Sequence, residues 1–201
     1  MSLYKFLFAD GALFTAAQIS DKAVLWGTDA DESISAHQGY RTSVFGYGGN
    51  DFISGSSAND ILNGGTGNDT LEGGNGNDTY VYNSKDGQDV ITDTGGTDTL
   101  RFGDGITKDD IALFIQNSNL FIGVADEGKI STINSQSMSD AGIEIIKLSD
   151  DSFLSSTDIN TIIQDMAAFS KDHGISISSV DDVKKNQELM NIIVHSWHKS
   201  E

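Results

Sequence analysis

Between Gly46 and Val81 the chain repeats itself every nine residues, in the lines GYGGNDFIS, GSSANDILN, GGTGNDTLE and GGNGNDTYV. Asp51, Asp60, Asp69 and Asp78 hold the sixth place, and Ile53, Leu62, Leu71 and Tyr80 hold the eighth. The last two lines match G-G-x-G-x-D-x-U-x in full, where U is a large apolar residue. Few folds accept such a period. The first six residues of each line form a turn, because glycine reaches positive φ and lets backbones approach closely. The last three form a short strand whose middle side chain points inward. A three-residue strand is not stable alone, so successive coils must stack and share a core. A flexible Gly/Asn/Asp linker has no reason to place an apolar residue at every ninth position. The D-x-[DN]-x-[DN]-G-x5-E run of an EF-hand is not present either.

If the turns alternate sides, residues eighteen apart lie above one another, Asp51 beneath Asp69 and Asp60 beneath Asp78. Adjacent strands are about 4.8 Å apart. Two carboxylates at roughly that distance repel unless a cation lies between them or one takes up a proton. No Lys or Arg occurs from Thr42 to Ser84, a stretch that holds Asp51, Asp60, Asp69, Glu72 and Asp78. The positive charge must therefore come from solution. Carboxylates with backbone carbonyls make an all-oxygen site that suits a hard cation such as Ca²⁺.

With these repeats, residues 46–98 resemble the RTX repeats of bacterial proteins exported by type I secretion. The resemblance implies a mainly β fold, a parallel β-roll that holds several Ca²⁺ ions between same-side turns. It implies that the lower turn offers carbonyls from its second and fourth residues plus its Asp, and the upper turn carbonyls from its first and third plus its Asp. One site is then Tyr47, Gly49 and Asp51 with Gly64, Thr66 and Asp69. Another is Ser56, Ala58 and Asp60 with Gly73, Asn75 and Asp78, where Ser56 and Ala58 depart from the glycine pattern. Beyond residue 81 the spacing loosens, with Asp89 eleven residues after Asp78 and Asp98 nine after that. These turns either complete further sites, Gly65, Gly67 and Asp69 with Asp89 and Gly74, Gly76 and Asp78 with Asp98, or leave Asp86, Asp89 and Asp93 on a solvated turn.

The flanks divide the rest of the chain. FLFADGALFTAAQI (6–19) aligns without gaps on IKLSDDSFLSSTDI (146–159), so residues 1–26 read as the closing hairpin of an earlier unit and the chain as a C-terminal piece of a longer protein. The β-roll spans 27–99; it opens with a degenerate repeat in which Glu32 replaces Asp and Ala30 replaces Gly, and residues 36–45 slip the phase by one residue in a bulged or looped coil that binds no ion. Residues 100–155 alternate short apolar runs with polar turns, which predicts a β-structured cap over the open end of the roll. Asn119, Gly123, Gly128 and Gly142 are read as its turns, and Tyr80, Tyr82, Phe102, Phe114 and Phe121 as its packing. Residues 156–201 predict two helices, one over 157–173 with Ile159, Ile162, Ile163, Met166 and Phe169 on one face, the other starting at a Ser179–Asp182 capping box with Val183, Met190, Ile193, Val194 and Trp197 on one stripe. In type I substrates the export signal lies in such a C-terminal segment.

Composition narrows the function. The net charge of −18 argues against nucleic acid and anionic membranes as partners and fits a cation binder. There is no cysteine to staple a secreted chain and no proline to slow its folding. No apolar run reaches transmembrane length, and MSLYKFLFADG is not a signal peptide. HExxH, G-x-S-x-G and P-loop motifs are missing, and His195 and His198 read as basic groups at a helix C-terminus, so no enzyme is expected here. The expected function is a calcium-binding module of a secreted, extracellular, toxin-like protein. It would fold on Ca²⁺ after passing the type I secretion machinery. The alternatives are a calcium-rigidified adhesin or ligand-binding module, for which Thr70 and Thr79 begin an exposed row, and an accessory domain of an upstream secreted enzyme.

Overall fold

The computed structural model describes residues 5–7, 13–15, 23–117, 119–126, 129–135 and 142–199. β1 (Lys5–Leu7) and β2 (Leu13–Thr15) form an antiparallel pair, with Lys5 opposite Thr15. The same hairpin recurs 140 residues later, where Ile145 lies opposite Ser155.

The roll consists of two facing sheets joined by the turns. β4 (Ser33–Ser35), β6 (Phe52–Ser54), β8 (Thr70–Glu72) and β10 (Val90–Thr92) stack in one. β3 (Ala23–Trp26), β5 (Thr42–Gly48), β7 (Ile61–Thr66), β9 (Thr79–Tyr82) and β11 (Thr99–Phe102) stack in the other. All these neighbours are parallel. The middle coils keep the eighteen-residue step, with Phe52 opposite Thr70 and Ile61 opposite Thr79. The lowest coil takes nineteen, Ala23 opposite Thr42, and the uppermost twenty, Thr79 opposite Thr99. The one-residue slip at 36–45 is therefore absorbed in the connection before β5, while β5 itself is a regular strand.

Inward residues make the core because three-residue strands have no other way to bury apolar surface. Val44, Leu62, Tyr80 and Leu100 are fully buried from one sheet, and Ile53, Leu71 and Ile91 from the other. The flank continues both sheets and so covers the edges they would otherwise expose. β12 (Ile111–Gln116), β13 (Asn119–Asp126) and β14 (Lys129–Ser135) form an antiparallel meander whose last strand pairs parallel with β10. β15 (Ile145–Lys147) adds parallel to β11, followed by β16 (Ser152–Ser155) and β17 (His198–Lys199). Tyr82 meets Phe102 edge to face at 5.9 Å, and Phe114 stacks on Phe121 at 4.8 Å. Gly123 corrects the sequence reading, because it lies inside β13 and is no turn. A Cβ there would lie 1.9 Å from Val180 Cγ1, so the glycine admits the helix that packs on the strand. The left-handed turn residue is Asn117, with φ 52°, and Gly128 lies outside the described residues.

α1 (Ser156–His173) begins at Ser155, whose hydroxyl accepts from the Asp158 N–H, and ends at Gly174 with φ 64°. Its buried face is Ile159, Ile162 and Met166. The second predicted helix is two, α2 (Val180–Lys184) and α3 (Gln187–His195). Asn186 divides them: its side-chain Oδ1 accepts from the Glu188 and Leu189 N–H groups, an N-cap that competes with helix continuation. Ser179 caps α2, but the Asp182 carboxylate accepts from Ser178, so the expected reciprocal box is only half made. Val183, Leu189 and Ile193 are buried where these helices pack on the meander and on α1. Among the described residues no helix is long and apolar enough to cross a membrane.

Candidate metal centre

The turns stack into two columns. In the first, the Glu32 N–H donates to Asp51 Oδ1 at 2.9 Å, the Asp51 N–H to Asp69 Oδ1 at 2.8 Å, and the Asp69 N–H to Asp89 Oδ1 at 3.0 Å. In the second, Thr42 donates to Asp60 Oδ1 at 2.6 Å, Asp60 to Asp78 at 2.6 Å, Asp78 to Asp98 at 2.7 Å, and Asp98 to Glu144 Oε2 at 2.7 Å. Each sixth-place carboxylate thus sits over the backbone of the one below, and one oxygen is used in holding that register.

The other oxygen decides what the columns can do. Oδ2 of Asp51, Asp69, Asp78 and Asp98 is buried with no hydrogen-bond partner. A buried carboxylate oxygen without a partner is costly unless a cation meets it. Burial pushes Asp69 up to about 6, Asp78 to about 7 and Asp89 to about 8; backbone amides offset part of the rise, and neighbouring carboxylates add to it. Asp51 and Asp98 are raised for the same first reason. The turns also leave no room for side chains: a Cβ on Gly64 would lie 2.0 Å from Asp69 Oδ2, and one on Gly67 1.7 Å from the Gly49 carbonyl oxygen. The donor set is carboxylate and backbone carbonyl, and these residues fit Ca²⁺.

The expected ligand groups are brought together unequally. Tyr47 faces Gly65 and Gly48 faces Thr66, which stacks the Tyr47, Gly49, Asp51 turn beneath the Gly64, Thr66, Asp69 turn. Tyr47 takes the left-handed φ of 77° that Gly65 and Gly74 take at the same place. Gly65, Gly67 and Asp69 lie beneath Asp89, with Gly67 bridged to Gly87, and Gly74, Gly76 and Asp78 lie beneath Asp98, with Asn75 bridged to Gly95. The turn of Ser56, Ala58 and Asp60 is different. Its Asp60 Oδ2 accepts the Ser56 N–H at 2.7 Å, and the Ala58 N–H turns to the Ser56 hydroxyl at 3.1 Å. Both Asp60 oxygens are thereby occupied by the protein, although Gly73, Asn75 and Asp78 lie above as expected. Glu32 closes the lowest turn in a similar way, accepting from the Thr28 N–H at 2.8 Å and hydroxyl at 2.5 Å.

Two features escaped the motif. Asn50, Asn59, Asn68 and Asn77 hold the fifth place of every line, and their side chains bind the next coil: Asn50 Oδ1 accepts the Asn68 N–H, Asn68 that of Gln88, Asn59 that of Asn77, and Asn77 that of Thr97, all at 2.9–3.0 Å. The recurring Asn was the available signal. Asp86, Asp89 and Asp93 are all buried, so the solvated-turn alternative does not hold for them. His195 Nδ1 lies 2.7 Å from the Asn191 carbonyl and His198 Nε2 2.9 Å from Asp158, so the two histidines turn to different partners. The profile of the RTX calcium-binding nonapeptide repeat matches residues 45–80 in four copies. No curated protein matches the chain.

Proposed function

We propose that the roll is a calcium-triggered folding module of a secreted bacterial protein, a reading supported by the match of residues 45–80 to the RTX calcium-binding nonapeptide repeat. The observation that carries this reading is the set of unpartnered Oδ2 atoms on Asp51, Asp69, Asp78 and Asp98. Ions there would be held by the Asp51/Asp69, Asp69/Asp89 and Asp78/Asp98 turns, with the Asp60 turn contributing least. Bound calcium supplies the positive charge that this stretch of chain lacks. The chain's own part is to present oxygens and fix their spacing through the Asp and Asn ladders. Extracellular calcium modules have Kd of about 10⁻⁴–10⁻³ M. At about ten times Kd each site adds roughly 1.4 kcal/mol, so three sites rival the whole stability of a small domain. In calcium-poor cytosol the roll stays open and a type I export channel can thread it. Outside, folding becomes spontaneous and return is suppressed. We assign no catalytic role to this chain. Isothermal titration of calcium into chelator-stripped protein tests the reading, with uptake of several ions expected. No uptake would sink it.

The raised carboxylates set the expected pH dependence. In the folded, calcium-free chain Asp69, Asp78 and Asp89 hold their protons up to about 6, 7 and 8, above the ordinary carboxylate range. The native state then binds more protons than the unfolded chain, so their contribution is fully present at low pH and is lost as pH rises through these values. In chelator, β content should increase from pH 8 to pH 5.5 by circular dichroism. Calcium affinity should move the other way and weaken on acidification, because ligation needs ionised carboxylates.

A second reading, a calcium-rigidified binding module, is favoured by one observation. Trp26 stacks on Phe45 at 4.9 Å and on Tyr47 at 5.9 Å, with Trp26 and Tyr47 exposed. Thr70 and Thr79 do not extend such a row, because they lie in opposite sheets.

A further inference from the structure

The turn that leads into β11 carries Asp93 at its first place, where the lower turns carry Gly46, Gly55, Gly64 and Gly73. At Gly46 and Gly64 a side chain has no room, since a Cβ would lie 2.2 Å and 2.0 Å from the carboxylate of the same turn. The Asp93 turn makes room by a different backbone. Its positive-φ residues are Gly95 and Gly96, the third and fourth places, whereas Gly74 and Gly76 hold the second and fourth one coil below. The side chain that results is buried. Asp78, Asp93 and Asp98 each offer an oxygen within 4.8 Å of the others. Two of the three carboxylates, those of Asp78 and Asp98, have a buried Oδ2 with no partner, and these residues are 1 % and 0 % exposed.

Asp93 is also held in place. Its Oδ1 accepts the Gly95 N–H at 2.8 Å, and its Oδ2 accepts the Tyr80 hydroxyl at 2.5 Å. The Tyr80 oxygen accepts the Gly73 N–H at 2.8 Å, which leaves the phenol hydrogen for Asp93. Tyr80 stands at the inward place that Ile53, Leu62 and Leu71 fill in the lines below. A tyrosine at this place and an aspartate thirteen residues later are thus one device: the phenol reaches from the core into the turn and aims the extra carboxylate.

We propose that Asp93, held by Tyr80, is a third carboxylate of the cation site between Asp78 and Asp98, adding its negative charge beside the ion while both its oxygens stay on their protein donors, and that this site fills first among those of the roll. The proposal rests on the calcium-binding reading above. A third carboxylate brings more negative charge to a bound cation than the pairs of the other turns do, and ligand charge count is a main determinant of affinity at hard-cation sites. The same charge favours a trivalent lanthanide even more than Ca²⁺. The nearby phenol would sensitise terbium luminescence from this position.

The test uses the full chain, stripped with chelator, and titrated separately with calcium by calorimetry and with terbium by luminescence excited through tyrosine. Asp93→Asn should weaken the tightest step by roughly 10–100-fold and leave the later steps and the saturated β content as they are. Tyr80→Phe should weaken that step by a smaller factor and remove most of the emission that appears with the first equivalent of terbium. Wild-type affinity at every step in Asp93→Asn would overturn the proposal while leaving the calcium-binding reading intact. Absence of any uptake by the wild-type chain would overturn both. If Asp93→Asn does not fold in saturating calcium, Tyr80→Phe decides: unchanged emission at the first equivalent overturns the proposal, and its loss supports it.

Discussion

Asp69→Asn is expected to lower calcium uptake by two ions and to remove about 3 kcal/mol of stability at ten times Kd, from two sites at about 1.4 kcal/mol each. The effect is large because Asp69 is shared. It lies above Asp51 and below Asp89 in one column, joined to both by amide–carboxylate bonds of 2.8 and 3.0 Å. Asparagine keeps an acceptor for the Asp51 N–H and loses only the charge that two ions need. In chelator the sign should reverse. Asp69 resists ionising there, mainly through burial, so removing its charge leaves the calcium-free roll as stable or more so. Asp60→Asn should behave otherwise. Both Asp60 oxygens accept backbone N–H groups, from Thr42 at 2.6 Å and Ser56 at 2.7 Å. An amide NH₂ would face one of those donors and cost about 1–3 kcal/mol, with calcium and without it. Thermal unfolding of the two variants, in calcium at neutral pH and in chelator at pH 5.5 where the calcium-free roll regains β structure, separates a ligand from a structural acceptor.

Leu62→Ala is expected to destabilise the calcium-loaded chain by about 2–5 kcal/mol while leaving the number of bound ions unchanged. Leu62 is fully buried in the middle of the inward row, with Val44 opposite it on one side and Tyr80 on the other. Each coil contributes one inward apolar residue to this row, Val44, Leu62 and Tyr80 in turn, so few other apolar contacts can be redistributed and the cavity persists. The variant should need more calcium to reach half folding. Calorimetry at saturating calcium should still count the wild-type number of ions.

The roll was legible because its period is rigid in both senses. Asp at the sixth place and an apolar residue at the eighth allow one stacking register, and the eighteen-residue step of the middle coils follows from it. The weakness of the Asp60 turn was also legible, since Ser56 and Ala58 stand where glycine is needed, and neither takes a positive φ. Asp93 was not, because it stands at the first place of a turn whose backbone differs. No spacing rule drawn from the sixth place could find it. Gly123 reads locally as a turn because a glycine interrupts the apolar run between Ile122 and Val124; only the approach of Val180 explains it. The division between α2 and α3 at Asn186 likewise depends on a side chain choosing to cap when it could have extended the apolar stripe.

Calcium-coupled folding is tested most directly by far-UV circular dichroism of the chelator-stripped chain at neutral pH during a calcium titration. The roll described here, with four buried carboxylate oxygens unpartnered, predicts little β structure in chelator and a cooperative gain of it at about 10⁻⁴–10⁻³ M calcium. Full β content in excess chelator, unchanged when calcium is added, would contradict the account.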